Sequence, residues 1–440
     1  MMRSLYSGVA GLKTHQTRMD VIGNNIANVN TTAYKSQSMT FSDLMYQTTQ
    51  SASGANSTTG VGGVNARQIG LGSKTSAIKT AITTQGASQT TNDPFDIMIT
   101  GDAFFVVSNG LEKFFTRDGS FYVDGAGNLA MTSTGYNVMG WQVDPTNPSA
   151  IKQDTVSALR IMTEENLTYP PEATTAARIT GILDKNDTNV NNSSGKIMNL
   201  EFYDNLGYKY TAKLSVHSIT GKEGEYEVKL DNILDADGKI VSGAAKIQGD
   251  SANLVFDTAN GKFKSIAGGS SITLEFDTTT YPSFSNITID FSAVSNVNNN
   301  GSSTIAPIRG DSDGNRAGRK VGEMSGIDIQ KDGKIYATYD NGQSRLMGQI
   351  AVATFANASG LAKEGDNLYS ATQNSGDFDG IGTDITAGGG YMNTGVLEMS
   401  NVDLSAEFTE MITTQRGFQA NSRIITVSDT LLEELTNLKR

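Results

Sequence analysis

The stretch 401–440 constrains the fold most, because it is a long amphipathic segment in which only Gly417 interrupts the helical pattern. Apolar residues recur there at intervals of three and four, the spacing of one helical face. A continuous helix would be about 60 Å long at about 1.5 Å per residue. Since a small domain cannot cover that length, the apolar row needs partners. The row comprises Leu404, Phe408, Met411, Gln415, Phe418, Ile425, Leu432 and Leu435, and Ile424, Val427, Leu431 and Leu438 broaden it.

The residues before this helix predict where it begins. Ser400 and Asn401 are favourable N-cap residues, and Asp403 stands where the acid of a capping box would follow Ser400. Charges of the sign that the helix dipole favours lie at both ends of the stretch. These are Asp403, Glu407 and Glu410 near the start and Lys439 and Arg440 at the finish.

A second amphipathic helix is predicted at the N-terminus. Gln16 and Gly23 interrupt its apolar row, and a run of Asn and Thr over residues 24–32 ends it. The row comprises Leu5, Val9, Leu12, Met19 and Ile26, with Ile22 and Val29 beside it. Two such helices could belong to an ordinary globular core. Their positions at opposite ends of the chain and their broken rows favour a coiled-coil-like pair that assembles with other copies.

Composition excludes several functional classes. With 440 residues, the chain has room for about two to four domains. A content of 47 Gly and 7 Pro indicates short strands joined by turns. The net charge of −12 argues against nucleic acid as a partner, and the absence of cysteine excludes disulfides. We expect no membrane span and no cleaved secretory signal, because the required apolar runs are missing.

The pattern between the helices is β-rich. Turn pairs such as Asn109–Gly110 and Asp118–Gly119 separate short runs of β-branched and aromatic residues, which predicts antiparallel hairpins. The expected fold is mainly β with a long α-helical terminal pair, in a nested multidomain architecture. Its parts are an assembly domain from 1–30 and 400–440, an extended arm from 31–75, a discontinuous β-domain from 76–150 and 304–399, and an inserted outer β-domain from 151–303.

No constellation for catalysis, cofactor binding or metal binding emerges from the sequence. His15 and His217 lie on different predicted elements, and neither has a neighbouring Asp–Ser arrangement. The segment 311–315 begins like a calcium loop, but Arg316 stands where an EF-hand requires Gly. The acids at 377, 379 and 384 are typical of solvated turns. We therefore expect a protein that is not an enzyme and carries no cofactor or metal.

Several further motifs stand out in the sequence, namely Ser7–Leu12 and Asn24–Thr31 near the N-terminus and Gly101–Val106 and Phe115–Phe121 in the β-rich region. Taken together, these motifs resemble those of the axial proteins of the bacterial flagellum, the family of rod and hook subunits. The first two are similar to the family's N-terminal signature, with Ala33 where Gly is usual, and the other two resemble its β-domain motifs. The residues that carry the terminal motifs are Asn24, Asn25, Asn28, Asn30, Thr31, Ser400, Asn401, Asp403, Gln415, Arg416 and Asn421.

The resemblance covers roughly 1–150 and 305–440 and favours the hook branch of the family. Distal rod proteins share most of these motifs but are usually shorter, whereas hook members carry an insertion in the position of 151–303. A distal rod subunit remains the alternative within the family. A secreted β-rich enzyme or adhesin is the alternative outside it, and would leave the terminal helices unexplained.

The resemblance implies a structural subunit that assembles with many copies of itself into a curved, flexible tube that transmits torque. The terminal helix rows would then be subunit interfaces. It also implies contacts with rod, hook-cap, hook-length-control and hook–filament-junction proteins. Export through the flagellar apparatus, without a cleaved signal, would place the subunit in the extracellular hook.

Overall fold

The computed structural model describes residues 2–54, 60, 62–241, 243–247 and 251–438. These residues divide into two compact units. The first comprises Met1–Thr163, Ile327–Ala337 and Arg345–Arg440, and the second comprises Glu164–Gly326 and Thr338–Ser344. Three α-helices are present in the described residues, namely α1 (Met2–Ala27), α2 (Glu164–Leu167) and α3 (Leu404–Asn437). The two long terminal helices predicted from the sequence are therefore confirmed, and both belong to the first unit.

Helix α3 begins later than the sequence indicated. Its N-cap is Asp403, whose Oδ1 accepts hydrogen bonds from the backbone N–H groups of Ser405 at 2.9 Å and Ala406 at 3.3 Å. The prediction of Ser400 or Asn401 as the N-cap was wrong, because the Asn401 side chain instead bonds to backbone outside the helix. The basic residues Lys439 and Arg440 lie outside the described residues.

The arm is a two-stage antiparallel ribbon, which we call the arm ribbon. Strand Gln37–Asp43 pairs with Ser73–Thr80, and farther out Tyr46–Gln50 pairs with Arg67–Gly70. The polar segment predicted as an extended arm thus contains paired strands. The first of these strand pairs lies against α1, where the Thr14 hydroxyl donates to the carbonyl of Ser73 at 3.3 Å.

Short antiparallel strands build the rest of the first unit, as the Asn-Gly and Asp-Gly turns predicted. A buried cluster that includes Phe104, Val106, Phe115 and Tyr369 forms its core. The strands are Ser88–Thr90, Ile97–Ile99, Phe104–Ser108, Lys113–Thr116, Phe121–Val123, Leu129–Met131, Asn137–Asp144, Asn147–Ile151, Ser157–Ala158, Val352–Ala353, Ala362–Gly365, Leu368–Ser370, Met392–Thr394 and Val396–Glu398. Two 3₁₀ turns, Ala358–Gly360 and Ile385–Gly388, follow the strands after 350.

The second unit is built mainly from two five-stranded sheets. The first sheet has the order Ala245–Ile247, Ser271–Phe276, Ile287–Ser295, Ala176–Ile182 and Ala306–Arg309. The second has the order Lys196–Tyr203, Lys209–Ser218, Glu225–Leu234, Ser251–Phe256 and Phe263–Ile266. Alternating side chains from both sheets, such as Leu200, Phe202, Leu214, Ile289 and Phe291, share one buried core. Burial of every second residue is what a two-layer sheet packing requires.

The boundaries of the second unit differ from those expected for the insertion. It begins at Glu164, and its strand Ala306–Arg309 pairs with Ala176–Ile182, although the sequence placed 304 onward in the resumed β-domain. Composition changes at turn-rich segments, whereas a unit boundary follows strand pairing across the sequence. Strand Thr168–Tyr169 also lies in this unit. The remaining strands, Gly322–Ile329, Lys334–Tyr339 and Ser344–Ile350, contain residues of both units.

Replacing Leu214 by Ala tests the core of the second unit. Because this side chain is 0% exposed, we expect the free energy of unfolding to fall by about 2–5 kcal/mol. The control Leu206→Ala removes the same atoms from a side chain that is 61% exposed, and should change it by less than about 0.5 kcal/mol. Urea unfolding followed by circular dichroism measures both, and equal losses would contradict this packing.

Candidate functional site

Helices α1 and α3 pack antiparallel along a seam of small and polar residues, which we call the helix seam. Gly8 faces Ile425, and Gly11 faces Asn421, whose side-chain nitrogen lies only 2.6 Å from the point a Cβ at position 11 would occupy. A side chain at position 11 would force the Asn421 side chain to move. Thr14 is also buried in α1, and Thr414 and Ser428 are the buried residues of α3.

Gly417 leaves a notch in α3 that the ring of His15 fills. A Cβ at position 417 would lie 2.7 Å from the ring atoms Cε1 and Nε2 of His15. Glycine inside a helix costs about 1 kcal/mol relative to alanine. The close fit of the ring against the backbone explains why this position is glycine although glycine disfavours a helix.

Two polar contacts fix the other end of the helix seam. Arg18 pairs with Glu410 at 3.0 Å, and the Asn25 amide donates to Glu407 Oε1 at 2.8 Å. Burial raises the pKa of Glu407, while the hydrogen bond from Asn25 lowers it. Because hydrogen bonds have directional geometry, these contacts set the register of α1 against α3.

The predicted apolar rows are divided by this packing. Ile22 is buried, whereas others are half-buried, namely Leu5, Leu12, Met19, Ile26, Met411, Phe418, Ile425 and Leu432. The exposed members are Val9, Leu404, Phe408, Gln415 and Leu435. Their role as subunit-interface residues stays a prediction.

Large apolar side chains of α3 and its C-cap remain exposed in the isolated chain, and we call this set the outer stripe. Phe408 is 51% exposed and Ile412 is 59% exposed, although aromatic and branched aliphatic side chains are normally buried. The set consists of Leu404, Phe408, Ile412, Ile424, Val427, Leu431, Leu435 and Leu438. Near the start of α1, Met2, Tyr6 and Val9 are exposed as well.

A buried charge cluster ties the base of the helix pair to the β-domain, and we call it the junction. Lys35, Arg117 and Glu398 come from three distant parts of the chain, and their side chains are at most 1% exposed. The Lys35 ammonium donates to Glu398 Oε1 at 2.6 Å and to the carbonyl of Thr84 at 2.7 Å. Arg117 lies 3.7 Å from the other carboxylate oxygen and donates to the carbonyl of Gly101.

The electrostatics of the junction follow from burial. Burial lowers the pKa of Lys35, and the neighbouring Glu398 raises it. Burial likewise lowers the pKa of Arg117, against the influence of Glu398. A buried charge is tolerated only when it is paired and hydrogen-bonded. The three charges therefore depend on one another for their place in the core.

The side-chain amides of Asn25 and Asn401 form hydrogen bonds with the backbone around the junction. Asn25 is 0% exposed and exchanges two hydrogen bonds with the backbone of Gln37, at 2.8 and 2.9 Å. Asn401 accepts from the Ser36 N–H at 2.7 Å and donates to the carbonyls of Ala81 and Thr84, both at 3.0 Å. These two side chains connect each terminal helix to the chain segments that precede the β-domain.

Several of the remaining motif residues form local hydrogen bonds. Asn28 donates to Asn24 at the end of α1, and Thr31 donates to Asn28 at 3.1 Å. The Ser400 hydroxyl accepts from the Val402 N–H at 3.3 Å. Five of the motif residues are exposed, namely Asn24, Asn30, Asp403, Gln415 and Arg416, while Asn421 lies in the helix seam.

Sequence reasoning missed both the helix seam and the junction. The predicted rows are apolar, whereas the seam uses two glycines three residues apart in α1, Gly8 and Gly11. That spacing was a usable signal. The junction offered none, because the pairing of Lys35 with Glu398 links residues more than three hundred positions apart.

The second histidine has neighbours that the sequence did not indicate. Ser215 lies 3.1 Å from His217 Nε2 and donates to Asp231 Oδ1 at 2.8 Å. The expectation of no Asp–Ser neighbour was wrong for His217, because strand pairing brings Asp231 beside Ser215. The serine stands between the acid and the imidazole, whereas nucleophilic catalysis requires the imidazole between them, and Ser215 is buried.

The acidic loops form turns. Asp311 accepts from the backbone of Asp313 and Asn315, and Asp379 accepts from Ile381 and Gly382. Among the described residues, no group of three or more His, Cys, Asp or Glu side chains is arranged to hold a metal ion. None of the described helices is long and apolar enough to cross a membrane.

Three family models match parts of the chain. They are described as flagella basal body rod protein at 5–35, flagellar hook protein FlgE/F/G D1 domain at 98–178, and flagellar basal body rod FlgEFG protein C-terminal at 393–438. Each match contains one member of the junction, namely Lys35, Arg117 and Glu398 in turn.

Full-length relatives agree with these matches. The flagellar hook protein FlgE of Treponema pallidum is 35% identical over 477 residues, covering 100% of both chains. FlgE of Borreliella burgdorferi is 35% identical over 464 residues, again covering 100% of both. The flagellar basal-body rod protein FlgG of Bacillus subtilis is 30% identical over 440 residues with the same coverage.

Replacing Lys35 by Met tests the junction. The substitution leaves Glu398 buried with only Arg117 nearby, so we expect unfolding of the first unit to become easier by about 3–5 kcal/mol. Urea unfolding can be followed by fluorescence of the single tryptophan, Trp141, which is buried in this unit. The control Lys152→Met removes a cation from an exposed pair with Asp154 and should leave the unfolding midpoint nearly unchanged. Similar losses in both variants would contradict a stabilising junction.

Replacing Gly417 by Ala tests the helix seam. The added Cβ collides with the His15 ring, so we expect faster amide hydrogen exchange across residues 404–437. The control Gly23→Ala adds a Cβ where nothing lies within 4 Å, and should slow exchange in α1, since alanine favours the helix by about 1 kcal/mol. Slower exchange in both variants would show that the notch is not occupied.

Proposed function

We propose that α1 and α3 of many copies pack into the inner wall of the hook tube. The chain belongs to the family of flagellar hook and basal-body rod proteins, and within it is a structural subunit of the bacterial flagellar hook. The protein is a structural component and not an enzyme. Its family assembles with copies of itself and with other flagellar components in the hook.

The outer stripe is the observation that supports this role for the helices. The helix seam uses the small and polar side of α3, so most of the large apolar side chains are left facing solvent. Large exposed apolar residues along a 34-residue helix are costly in an isolated chain. The equivalent residues of neighbouring copies would cover them, with Leu404, Phe408 and Leu435 as contact residues.

The β-units would then form the outer layers of the tube. Their contacts must break and re-form as a curved tube turns, and polar contacts exchange partners more easily than dry apolar ones. The low hydrophobic fraction of 37% and the abundance of Ser, Thr and Asn fit such surfaces. In this way the hook would transmit torque from rod to filament while it bends.

The junction supports a coupled ordering of both ends. Lys35 follows α1 and Glu398 precedes α3, so neither charge is satisfied until both terminal segments are in place. A chain exported through the flagellar apparatus with its ends unfolded would order them together on assembly. We propose that the subunit is extracellular after export.

Specific partners follow from position in the flagellum. A hook subunit would meet the rod at one end and hook–filament-junction proteins at the other, and the hook cap and hook-length-control proteins during assembly. A distal rod subunit is the second candidate, and one observation favours it: a relative named as a rod protein covers the full length of this chain. The expected difference in length therefore does not separate the two.

Replacing Phe408 and Ile412 together by Ser tests the outer stripe. Because both side chains are largely exposed, we expect the isolated chain to keep its urea unfolding midpoint. Polymerisation should be lost, since the apolar contact between copies disappears. Sedimentation and negative-stain electron microscopy measure tube formation.

The control Thr409→Ser with Thr413→Ser changes exposed residues of the same helix turns and should assemble normally. Normal tubes from the Phe408 and Ile412 variant would contradict packing through the outer stripe.

A further inference from the structure

His15 lies where three elements meet. Its ring fills the Gly417 notch of α3 and stands edge-on to the Phe41 ring of the arm ribbon, with 5.6 Å between ring centroids. Arg18, one turn along α1, lies over the same Phe41 ring, with 5.3 Å from its Cζ to the ring centroid. The imidazole of this α1 residue thus contacts both α3 and the strand Gln37–Asp43 of the arm ribbon.

The surroundings of the ring suit a neutral imidazole. Nδ1 is covered from solvent and has no hydrogen-bond partner among the described residues. The facing surfaces are the backbone of Gly417 and the Phe41 ring, neither of which offers a carboxylate. A charged imidazolium would need hydrogen-bond acceptors for both ring nitrogens.

The charged groups around the site do not supply a counter-ion. On α1, the nearby charge is Arg18, of the wrong sign. On α3, Glu410 is engaged by Arg18, Glu407 accepts from Asn25, and Arg416 is another cation. On the arm ribbon, the charged residues nearest to Phe41 in the ladder are Asp43 and Lys74, which stand opposite Ser73 and Ser42.

We propose that His15 is an acid-sensitive latch, whose protonation releases the contact between α1, α3 and the arm ribbon. The ring would leave the notch to reach water, and the helix seam would lose the side chain that fills its centre. The latch concerns the regulation of assembly, and uses the proposed self-assembly only for its assay.

The sign of the effect follows from the surroundings of the ring. Burial lowers the pKa of His15 from its ordinary value of 6.5, and the charge of Arg18 lowers it further. The closed contact therefore binds a proton more weakly than the open chain. It has its full strength above pH 6.5 and weakens as the pH falls below that value. Glu407 has the opposite tendency, because its raised pKa makes protonation relieve a buried charge.

The test compares tubes assembled from the full chain at about pH 7.5 and then transferred to about pH 5.5, within the range where histidine titrates. For the natural chain we expect about fivefold to tenfold more subunits released at the lower pH. The variant His15→Gln should release no more subunits at the lower pH than at the higher. The control His217→Gln changes the chain's other histidine, in the second unit, and should keep the natural response.

The outcomes separate the latch from the proposed function. Failure of the natural chain to form tubes would contradict the proposed self-assembly. Normal tubes with the same pH response in the natural chain and His15→Gln would overturn the latch. The titration of the His15 ring by NMR, in whichever state the natural chain adopts, is the second measurement and needs no variant. A ring that titrates at its ordinary value while α1 and α3 stay paired would also overturn it.

Discussion

The buried pairing of Lys35 with Glu398, completed by Arg117, is the interaction on which the architecture of the first unit depends. It joins the segment after the N-terminal helix, the segment before the C-terminal helix and the β-domain at one point from which solvent is excluded. Each charge would be costly alone, so the cluster forms as a whole or not at all. Asn25 and Asn401 add directional bonds around it. The two chain ends are thereby held side by side, and α1 and α3 can pair along their full common length.

The pairing of α1 with α3 leaves many of their large apolar side chains exposed. Glycine and small polar residues let the two backbones approach closely, and polar contacts such as Arg18 with Glu410 set the register. A monomeric protein would use the apolar side of such helices for its own core. Here the outer stripe is left exposed beside the helix seam, which suits a subunit whose core is completed by neighbouring copies. The family relationship and the physical arrangement therefore lead to the same role.

Much of this could be predicted from the sequence, and the rest has identifiable physical reasons. The long helices were visible because apolar residues recur with helical spacing, and the hairpins because Asn-Gly and Asp-Gly turns mark them. The predicted N-cap of α3 was wrong by two or three residues. The Asn401 side chain donates to the carbonyl of Ala81, and Asp403 caps the helix instead. The junction could not be predicted, because a buried ion pair between distant residues has no local pattern. The neighbours of His217 were missed for the same reason, as they depend on strand pairing.

The account places this subunit in the hook, outside the completed rod. Electron microscopy of flagellar basal bodies from the source bacterium, with the gene for this chain deleted, tests that placement most directly. The account predicts complete rods that lack any curved extension. Basal bodies that stop before the rod is finished would contradict it, and would place the subunit in the distal rod.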